Sequence, residues 1–407
     1  MNPSSASSSL PPIAGRAASL EPSATLAMFA RVKRLRDQGV EILDLTAGEP
    51  DFTPPACAEE AGIQAIRDGA GRYTPAAGLM NLRKAVAKQV EREIGMFYSP
   101  EQIVVTNGAK IAIAQALMVM VNAGDEVLIP TPSWTSYPEM VKLVEGVPVI
   151  VPCGPDHLPT VQALEAARTD KTAAIILNSP CNPTGVVYPE SLLRELGAWA
   201  AAHGVRIVSD EIYCGLTFGN AKHHSPLALV PELQEGSVWI GGMSKAYAMT
   251  GWRMGFLAGP EDVAKAVAKV QSQLSGSPNA IAQWASLAAL EQADAERETM
   301  RLAFEKRCEL VYAAMESMPQ LDCPHPAGAF YAFPSVKPIL GKTDPSSGRT
   351  IDSGDAFAEL LLDVDQVATI GGSAFGAPDC FRLSFATSEE VLSQALARIA
   401  ARVAGLE

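Results

Sequence analysis

The sequence has few of the features that mark disulfide-rich or membrane-spanning proteins. Its seven cysteines form no C-x-x-C pair, and an odd number does not fit a complete disulfide framework, so free thiols in a reducing compartment are expected. The chain contains no uncharged apolar run of 18 residues, and its first residues lack the basic and apolar regions of a signal peptide. These absences predict a cytoplasmic protein without a membrane-spanning segment.

Basic charge is also scarce. Lysine and arginine together number 32 against 45 acidic residues, which gives a formal net charge of −13. Such an acidic chain is a poor candidate for binding nucleic acid or an anionic membrane. The expected partners are therefore small molecules.

Four common catalytic motifs are incomplete or missing. Residues 69–74 begin like a dinucleotide fingerprint but lack its last glycine, and Val336 stands where a phosphate-binding loop ending at Lys342 and Thr343 needs its first glycine. Residues 242–246 lack the final glycine of a serine-hydrolase elbow, and the five histidines form no H-E-x-x-H. Nicotinamide, nucleotide, serine-hydrolase and zinc chemistry are all disfavoured, and no metal is expected.

What the sequence does contain is a long alternation of strand and helix signals. The chain has 407 residues, 48% of them hydrophobic, which is enough for a large core and two or three domains. Helical segments separate short apolar runs at residues 103–106, 126–129, 147–151, 173–177, 205–208 and 238–241. This alternation predicts an α/β fold with a mostly parallel sheet covered on both faces, in a large domain over residues 51–289.

The remaining segments have a different pattern. Long helices after residue 260 are followed by short strands at 328–333, 367–370 and 380–385, and an amphipathic helix is predicted over 24–38. We therefore assign residues 17–50 and 290–407 to a smaller α+β domain. Residues 1–16, rich in Ser, Pro and Ala, are expected to form a flexible tail.

An acid and an amine follow two neighbouring strands of the predicted sheet. Asp210 comes two residues after the end of the apolar run at 205–208, and Lys245 comes shortly after the run at 238–241. Ligands of α/β sheets bind at the carboxyl ends of the strands, so the two side chains should face one site. A partly desolvated lysine that attacks an aldehyde, and a carboxylate that holds a pyridinium nitrogen, are what a pyridoxal phosphate enzyme requires.

The wider sequence resembles a known family. Eight blocks look like those of class I, fold type I aminotransferases, in the bacterial aspartate aminotransferase branch, and they occur in the family's order: GEPDF (48–52), YTP (73–75), TNGAK (106–110), PSWTSY (132–137), NSPCNPTG (178–185), DEIY (210–213), SKAYAMTGWRMG (244–255) and RLSFAT (382–387). The resemblance implies the pyridoxal-phosphate-dependent transferase fold, with a seven-stranded, mostly parallel sheet. It also implies a homodimer with shared active sites and a cytoplasmic aminotransferase of amino acid metabolism.

Site residues follow from the resemblance position by position. Lys245 would form the Schiff base with pyridoxal 5′-phosphate and shuttle a proton, Asp210 would hold the pyridinium nitrogen, and Tyr213 and Asn182 would bind the phenolic oxygen. Further cofactor contacts are implied for the phosphate loop, the stacking aromatic and the partner-reaching tyrosine: Gly108, Ala109, Lys110, Ser244, Arg253, Trp134 and Tyr73. The start of a helix after a strand is also a general phosphate site.

The same resemblance implies a substrate site. Arg382 would clamp the α-carboxylate together with the backbone of Gly48, beside Trp134 and Asn182, unless it is a surface arginine paired with Glu389 or Glu390. Lys110 and Thr25 would read the distal carboxylate of aspartate or glutamate. The sequence departs from the branch at Ile111, where glutamine is common, and at residues 371–375, where a proline-glycine pattern is usual.

The predicted reaction is the transfer of an amino group from L-aspartate to 2-oxoglutarate by a ping-pong mechanism, with amino acids and 2-oxo acids as substrates. The alternatives are a prephenate, aromatic or alanine aminotransferase, or a pyridoxal phosphate lyase of the same fold. A non-catalytic ligand sensor is disfavoured. Such proteins carry a fused DNA-binding module, for which the segment before the first predicted helix is too short, and this chain retains Lys245, Asp210 and Arg382.

Overall fold

The computed structural model describes residues 13–22 and 24–407. The strands, in chain order, are β1 (Leu43–Asp44), β2 (Ile103–Thr106), β3 (Glu126–Thr131), β4 (Val147–Pro152), β5 (Thr172–Asn178), β6 (Arg206–Asp210), β7 (Val238–Gly242), β8 (Gly255–Ala258), β9 (Tyr331–Ala332), β10 (Val367–Ala368), β11 (Ile370–Gly371) and β12 (Phe381–Ser384).

The helices are α1 (Gly15–Ala18), α2 (Ala24–Asp37), α3 (Ala56–Arg67), α4 (Met80–Ile94), α5 (Ala109–Met120), α6 (Ser136–Leu143), α7 (Val161–Ala167), α8 (Glu190–Ala202), α9 (Pro226–Leu229), α10 (Glu261–Leu274), α11 (Ala280–Gln292), α12 (Asp294–Glu316), α13 (Gly354–Asp365) and α14 (Glu389–Ala404). None of the helices in the described part of the chain combines the length and apolar character needed to cross a membrane.

The main sheet has seven strands in the order β2-β8-β7-β6-β5-β3-β4. Strand β8 runs antiparallel to both of its neighbours, and the other neighbouring pairs are parallel. This topology confirms the predicted α/β class with a mostly parallel, seven-stranded sheet.

Each strand of this sheet contributes side chains to two apolar layers because successive residues point to opposite faces. Ile103 and Val105 of β2 pack into one buried cluster, and Val104 between them packs into another. Helices α4, α8 and α11 pack on the first face, and α5, α6 and α10 pack on the second. Both faces of the sheet are therefore covered, and ligands can approach only at the strand ends.

A second group of short strands lies outside the main sheet. Strand β1 pairs in parallel with β10, and β11, β12 and β9 form an antiparallel sheet beside helices α12, α13 and α14. The run predicted at 367–370 is thus divided between two sheets. All strands of the main sheet lie inside residues 51–289, and the domain boundaries themselves stay a prediction. Of the predicted tail, residues 1–12 lie outside the described part, and α1 begins at Gly15.

Candidate active site

The two residues singled out by strand position meet at one edge of the main sheet. Strand β6 ends at Asp210, and β7 ends at Gly242, three residues before Lys245. Because β8 runs the other way, its first residue, Gly255, lies at the same edge and brings Arg253 there. This edge forms the floor of a cavity of about 570 Å³.

Most of the residues predicted for the site line this cavity. They are Thr25, Gly48, Ala109, Lys110, Trp134, Asn182, Asp210, Tyr213, Ser244, Lys245, Arg253 and Arg382. Gly108 lies against Arg253, one residue before the lining residue Ala109, and Tyr73 lies outside the cavity. In the described part of the chain, no group of three or more His, Cys, Asp or Glu side chains could hold a metal ion.

Lys245 extends into the cavity from the loop after β7. Its Nζ donates a hydrogen bond to the carbonyl oxygen of Gly48, and it lies 5.7 Å from the centre of the Tyr213 ring. Burial, followed by the positive charge of Arg382, lowers the pKa of Lys245 to about 8, while the charge of Glu49 acts in the opposite direction. A substantial fraction of the amine is therefore neutral near physiological pH, as a nucleophile or a base requires.

Lys245 is expected to react with a small aldehyde at lower pH than a surface lysine. Its neutral amine becomes the major form above a pH of about 8, whereas the Glu261 hydrogen bond raises the pKa of the exposed Lys265. Formaldehyde treatment over a pH series, borohydride reduction and peptide mass spectrometry would measure both side chains. The same pH dependence at both positions would contradict this assignment.

Asp210 is buried beneath the cavity and held by two donors. The Tyr137 hydroxyl donates to Oδ2 at 2.6 Å, and the Ile212 N–H donates to Oδ1 at 3.2 Å. Burial raises the pKa of Asp210 to about 6, although the Tyr137 hydrogen bond acts in the opposite direction. The carboxylate is thus fixed in orientation and able to pair with a cation that enters the cavity.

Tyr137 was not assigned a role from the sequence, although it ends the PSWTSY block. It is the second residue of α6, and its ring is fully buried against Trp134 with ring centres 5.4 Å apart. Tyr331 was also missed. Its hydroxyl lies 3.1 Å from the Tyr213 hydroxyl, and the two residues come from strands and loops that are far apart in the sequence.

The first turn of α5 faces the cavity next to Arg253. Gly108 precedes the helix with a φ of +95°, and a Cβ at this position would lie 2.5 Å from Nη2 of Arg253. Only glycine fits this conformation and this close approach without strain. The amides of Ala109 and Lys110 open the helix, where N–H groups lack intrahelical acceptors. Together with the Arg253 guanidinium they form an anion site.

Arg382 is a buried cation on β12. Its Nη1 donates to Oδ1 of Asn182 at 2.9 Å, its Nη2 donates to the Thr46 carbonyl at 3.0 Å, and its Nε has no partner among the described residues. It is 2% exposed and stacks over the Tyr331 ring at 4.4 Å. The alternative pairing with Glu389 or Glu390 does not occur, and no carboxylate in the described chain pairs with it. A buried arginine of this kind calls for an anionic ligand.

A second cation, Lys110, lines the same cavity. Lys110 Nζ lies 4.8 Å from the centre of the Trp134 ring, and burial, followed by the charge of Arg253, lowers the pKa of Lys110. Thr25 of α2 lines the same cavity. The arrangement can therefore accept a molecule with two anionic groups.

Tyr73 stands apart from these residues. Its side chain is 98% exposed on the segment between α3 and α4. A residue in that position cannot contribute to the cavity of its own chain, but it is free to contact a second copy.

Comparison with known proteins gives a consistent result. The family model for aminotransferase class I and II matches residues 40–399. The aspartate aminotransferase of Geobacillus stearothermophilus is 44% identical over 389 residues, covering 95% of this chain and 98% of that protein. The probable aspartate/prephenate aminotransferase of Rhizobium leguminosarum bv. phaseoli is 42% identical over 383 residues, with 93% and 96% covered.

Solved structures agree with these matches. The crystal structure of the aspartate aminotransferase from Rhizobium meliloti has a TM-score of 0.94 at 38% identity, covering 98% of this chain and 100% of that one. The Thermus thermophilus aspartate aminotransferase with maleate has a TM-score of 0.90 at 39% identity, covering 96% and 100%.

Proposed function

This chain belongs to the class I and II aminotransferase family, and from that premise we propose that it is an aspartate aminotransferase that uses pyridoxal 5′-phosphate. It would transfer the amino group of L-aspartate to 2-oxoglutarate in a ping-pong cycle, which gives oxaloacetate and L-glutamate. The observation that carries the proposal is the meeting of Lys245, Asp210 and Arg382 in one cavity, where no carboxylate of the described residues neutralises the Arg382 guanidinium.

The residues present fit the cofactor. Gly108, with its positive φ, brings the first turn of α5 against Arg253, and Ser244 also lines the cavity. Backbone amides at a helix start, an arginine fork and a hydroxyl are the donors that bind a phosphate. These groups would hold the phosphate, and Trp134 and Asp210 would hold the ring.

When bound, pyridoxal phosphate supplies an aldehyde for the amino group and a ring that withdraws electrons from the substrate Cα. Lys245 Nζ would attack that aldehyde and later take up and return the proton of the substrate Cα. The Asp210 carboxylate would keep the ring nitrogen protonated, and the Tyr137 hydroxyl would hold that carboxylate in place.

Asn182 and Tyr213 would bind the phenolic oxygen of the ring. The Oδ1 of Asn182 already accepts a hydrogen bond from Arg382, so its amide Nδ2 is the group left for the cofactor. The Tyr213 hydroxyl lies within hydrogen-bond distance of the Tyr331 hydroxyl, which restricts the directions in which it can donate. Asn182 therefore couples the site for the cofactor to the clamp for the substrate.

The substrate site follows from the two cations. Arg382 would bind the α-carboxylate through its guanidinium, beside the backbone of Gly48, and so orient the Cα–H bond. Lys110 and Thr25 would bind the distal carboxylate. The Thermus structure was solved with maleate, a dicarboxylate, and this supports the assignment of a second anionic group to the site.

Replacing Lys110 by alanine tests the distal contact. We expect kcat/KM for L-aspartate to fall about 10- to 100-fold, because a carboxylate loses its counter-ion in a half-buried site. The values for L-alanine and L-phenylalanine, which lack that carboxylate, should change little. Steady-state assays with the three donors measure this difference, and equal losses for all three would assign Lys110 to the phosphate or to the fold.

One further activity is favoured by a specific observation. The Rhizobium leguminosarum relative is named as an aspartate/prephenate enzyme, and prephenate also carries a second carboxylate that Lys110 and Thr25 could bind. The departure at Ile111 lies next to Lys110 on the first turn of α5. Prephenate is therefore the second acceptor to assay, ahead of aromatic substrates, alanine or an elimination reaction.

We also propose a homodimer. Tyr73, 98% exposed, is the residue assigned to the phosphate of the neighbouring subunit. Sedimentation of the protein at several concentrations would measure the dimer, and mixing Tyr73→Phe with Lys245→Ala subunits would test whether sites are shared.

The decisive experiment is the visible spectrum of the purified, cofactor-loaded protein before and after addition of L-aspartate alone, with oxaloacetate assayed in the same tube. Loss of the visible band with one equivalent of oxaloacetate per site would establish the first half-reaction. An unchanged band would support the cofactor assignment and exclude aspartate as the donor. Absence of any band would contradict the whole proposal.

A further inference from the structure

A buried carboxylate lies directly behind Asp210 on the other side of the main sheet. Glu211 is 1% exposed, and its backbone N–H donates to the Ile240 carbonyl of β7 at 2.9 Å. Asp210 and Glu211 are consecutive, so their side chains point to opposite faces. Asp210 meets Tyr137 beside the cavity, whereas Glu211 enters a polar cluster that does not touch the cavity.

Four side chains donate to the two oxygens of Glu211. The Ser209 and Ser225 hydroxyls lie 2.7 and 2.6 Å from Oε1, and Trp239 Nε1 and His223 Nε2 lie 3.0 and 2.6 Å from Oε2. This number of donors suits a carboxylate that acts only as an acceptor. The network is closed around one buried negative charge.

The position of the His223 hydrogen follows from its second nitrogen. His223 Nδ1 is buried and has no partner among the described residues. A hydrogen on Nδ1 would be an orphaned donor, whereas a lone pair there costs less. The hydrogen therefore belongs on Nε2, directed at Glu211, which leaves the charge on the carboxylate.

We infer that Glu211 is a positioning residue for the proposed reaction: its charge, fixed by this network, acts through Asp210 on the ring nitrogen of the bound cofactor. The inference rests on the proposed function. A second negative charge one residue away makes it harder for Asp210 to lose its own proton and strengthens the field that attracts a ring proton.

The electrostatic surroundings support this route. Burial is the main cause of the raised pKa of Asp210, and the charge of Glu211 adds to it, while Tyr137 and Lys245 act in the other direction. Other titratable groups that face these two carboxylates are Cys181 and Tyr213 near Asp210, and Tyr98, Cys214 and His223 near Glu211. Among these groups, Glu211 is the carboxylate that lies on the face of the sheet away from the cavity.

Glu211→Gln removes the charge and keeps the shape. The glutamine oxygen can accept from Trp239 and His223, and its amide nitrogen can donate to the two serine hydroxyls, which are able to accept. Each of the four partners keeps one hydrogen bond to the side chain, so we expect the variant to fold. Ser209→Ala is the matched control, because it removes one hydrogen bond of the same network and leaves the charge in place.

The readout is the affinity for pyridoxal phosphate, measured by absorbance titration over a pH series for the two variants and the wild type. In the wild type the affinity should decline as the pH falls through the pKa of Asp210. In Glu211→Gln the decline should begin on the order of one pH unit lower, since the lost charge no longer raises that pKa. Ser209→Ala should retain the wild-type midpoint. Any protonation change of the free cofactor affects the measurements on all three proteins equally, so it cannot produce a difference between their midpoints.

A wild-type midpoint in Glu211→Gln, with or without weaker binding, would overturn the inference. Failure of this variant to fold in a thermal unfolding assay would also overturn it, since the network would then be a requirement of the fold. If the wild type did not bind pyridoxal phosphate at all, the proposed function itself would fall, which is a distinct result.

Discussion

Lys245→Ala is expected to lower the rate of amino-group transfer by at least about 10⁴-fold, because one side chain serves as nucleophile and as proton carrier. Lys245 contacts the Gly48 carbonyl and lies near the Tyr213 ring at the cavity floor. The variant should still bind pyridoxal phosphate through the α5 turn and Arg253. Its visible absorption should be that of the free aldehyde.

Two controls make the Lys245 result specific. Lys265→Ala, on the exposed face of α10, should retain both the visible band and the activity, since that side chain is exposed and pairs with Glu261 on the same helix. Borohydride treatment of the loaded wild type should fix the cofactor to the peptide that carries Lys245. A persistent band in Lys245→Ala, or labelling of another lysine, would show that the nucleophile is elsewhere.

Arg382→Gln is expected to lower kcat/KM by about 10²- to 10⁴-fold for every amino donor, because a buried charge pair with the α-carboxylate would be lost. The cofactor band should remain, since Lys245 and Asp210 are unchanged. Steady-state kinetics with aspartate, alanine and phenylalanine measure the loss. A uniform loss separates Arg382 from Lys110, whose replacement should act on dicarboxylic donors alone.

The shorter replacement Arg382→Lys tests geometry at constant charge. The guanidinium reaches both the Asn182 side chain and the Thr46 carbonyl, and an amine cannot hold both and also bind a carboxylate at two points. We therefore expect a loss nearly as large as in Arg382→Gln. Recovery of most of the activity would show that charge, and not the fork, carries the binding.

The sequence was sufficient for the fold class and for the centre of the site. Asp210 and Lys245 were placed together because parallel strands share one carboxyl edge, and the structure has both at that edge. These features depend on local periodicity and on a general rule of sheet topology.

Other features depend on contacts between distant segments and were not predictable in the same way. Tyr137 contacts Asp210, and Tyr331 contacts Tyr213, through side chains that no local pattern relates. The run at 367–370 was predicted as one strand because it is continuously apolar except for Thr369. In the structure, Val367 and Ala368 pair with β1, and Ile370 pairs with Arg382 of β12, so the chain changes sheets between them.

The pairing of β1 with β10 has a consequence for synthesis. Leu43 pairs with Val367, so the first strand finds its partner only after most of the chain has been made. The segment just after β1 supplies the Thr46 and Gly48 carbonyls that hold Arg382 and Lys245. A nascent chain on the ribosome can close the main sheet early, but it cannot complete this wall of the cavity until β10 and β12 have emerged. Catalytic competence therefore requires β10 and β12, and a chain stopped before Val367 would lack it even with the main sheet folded.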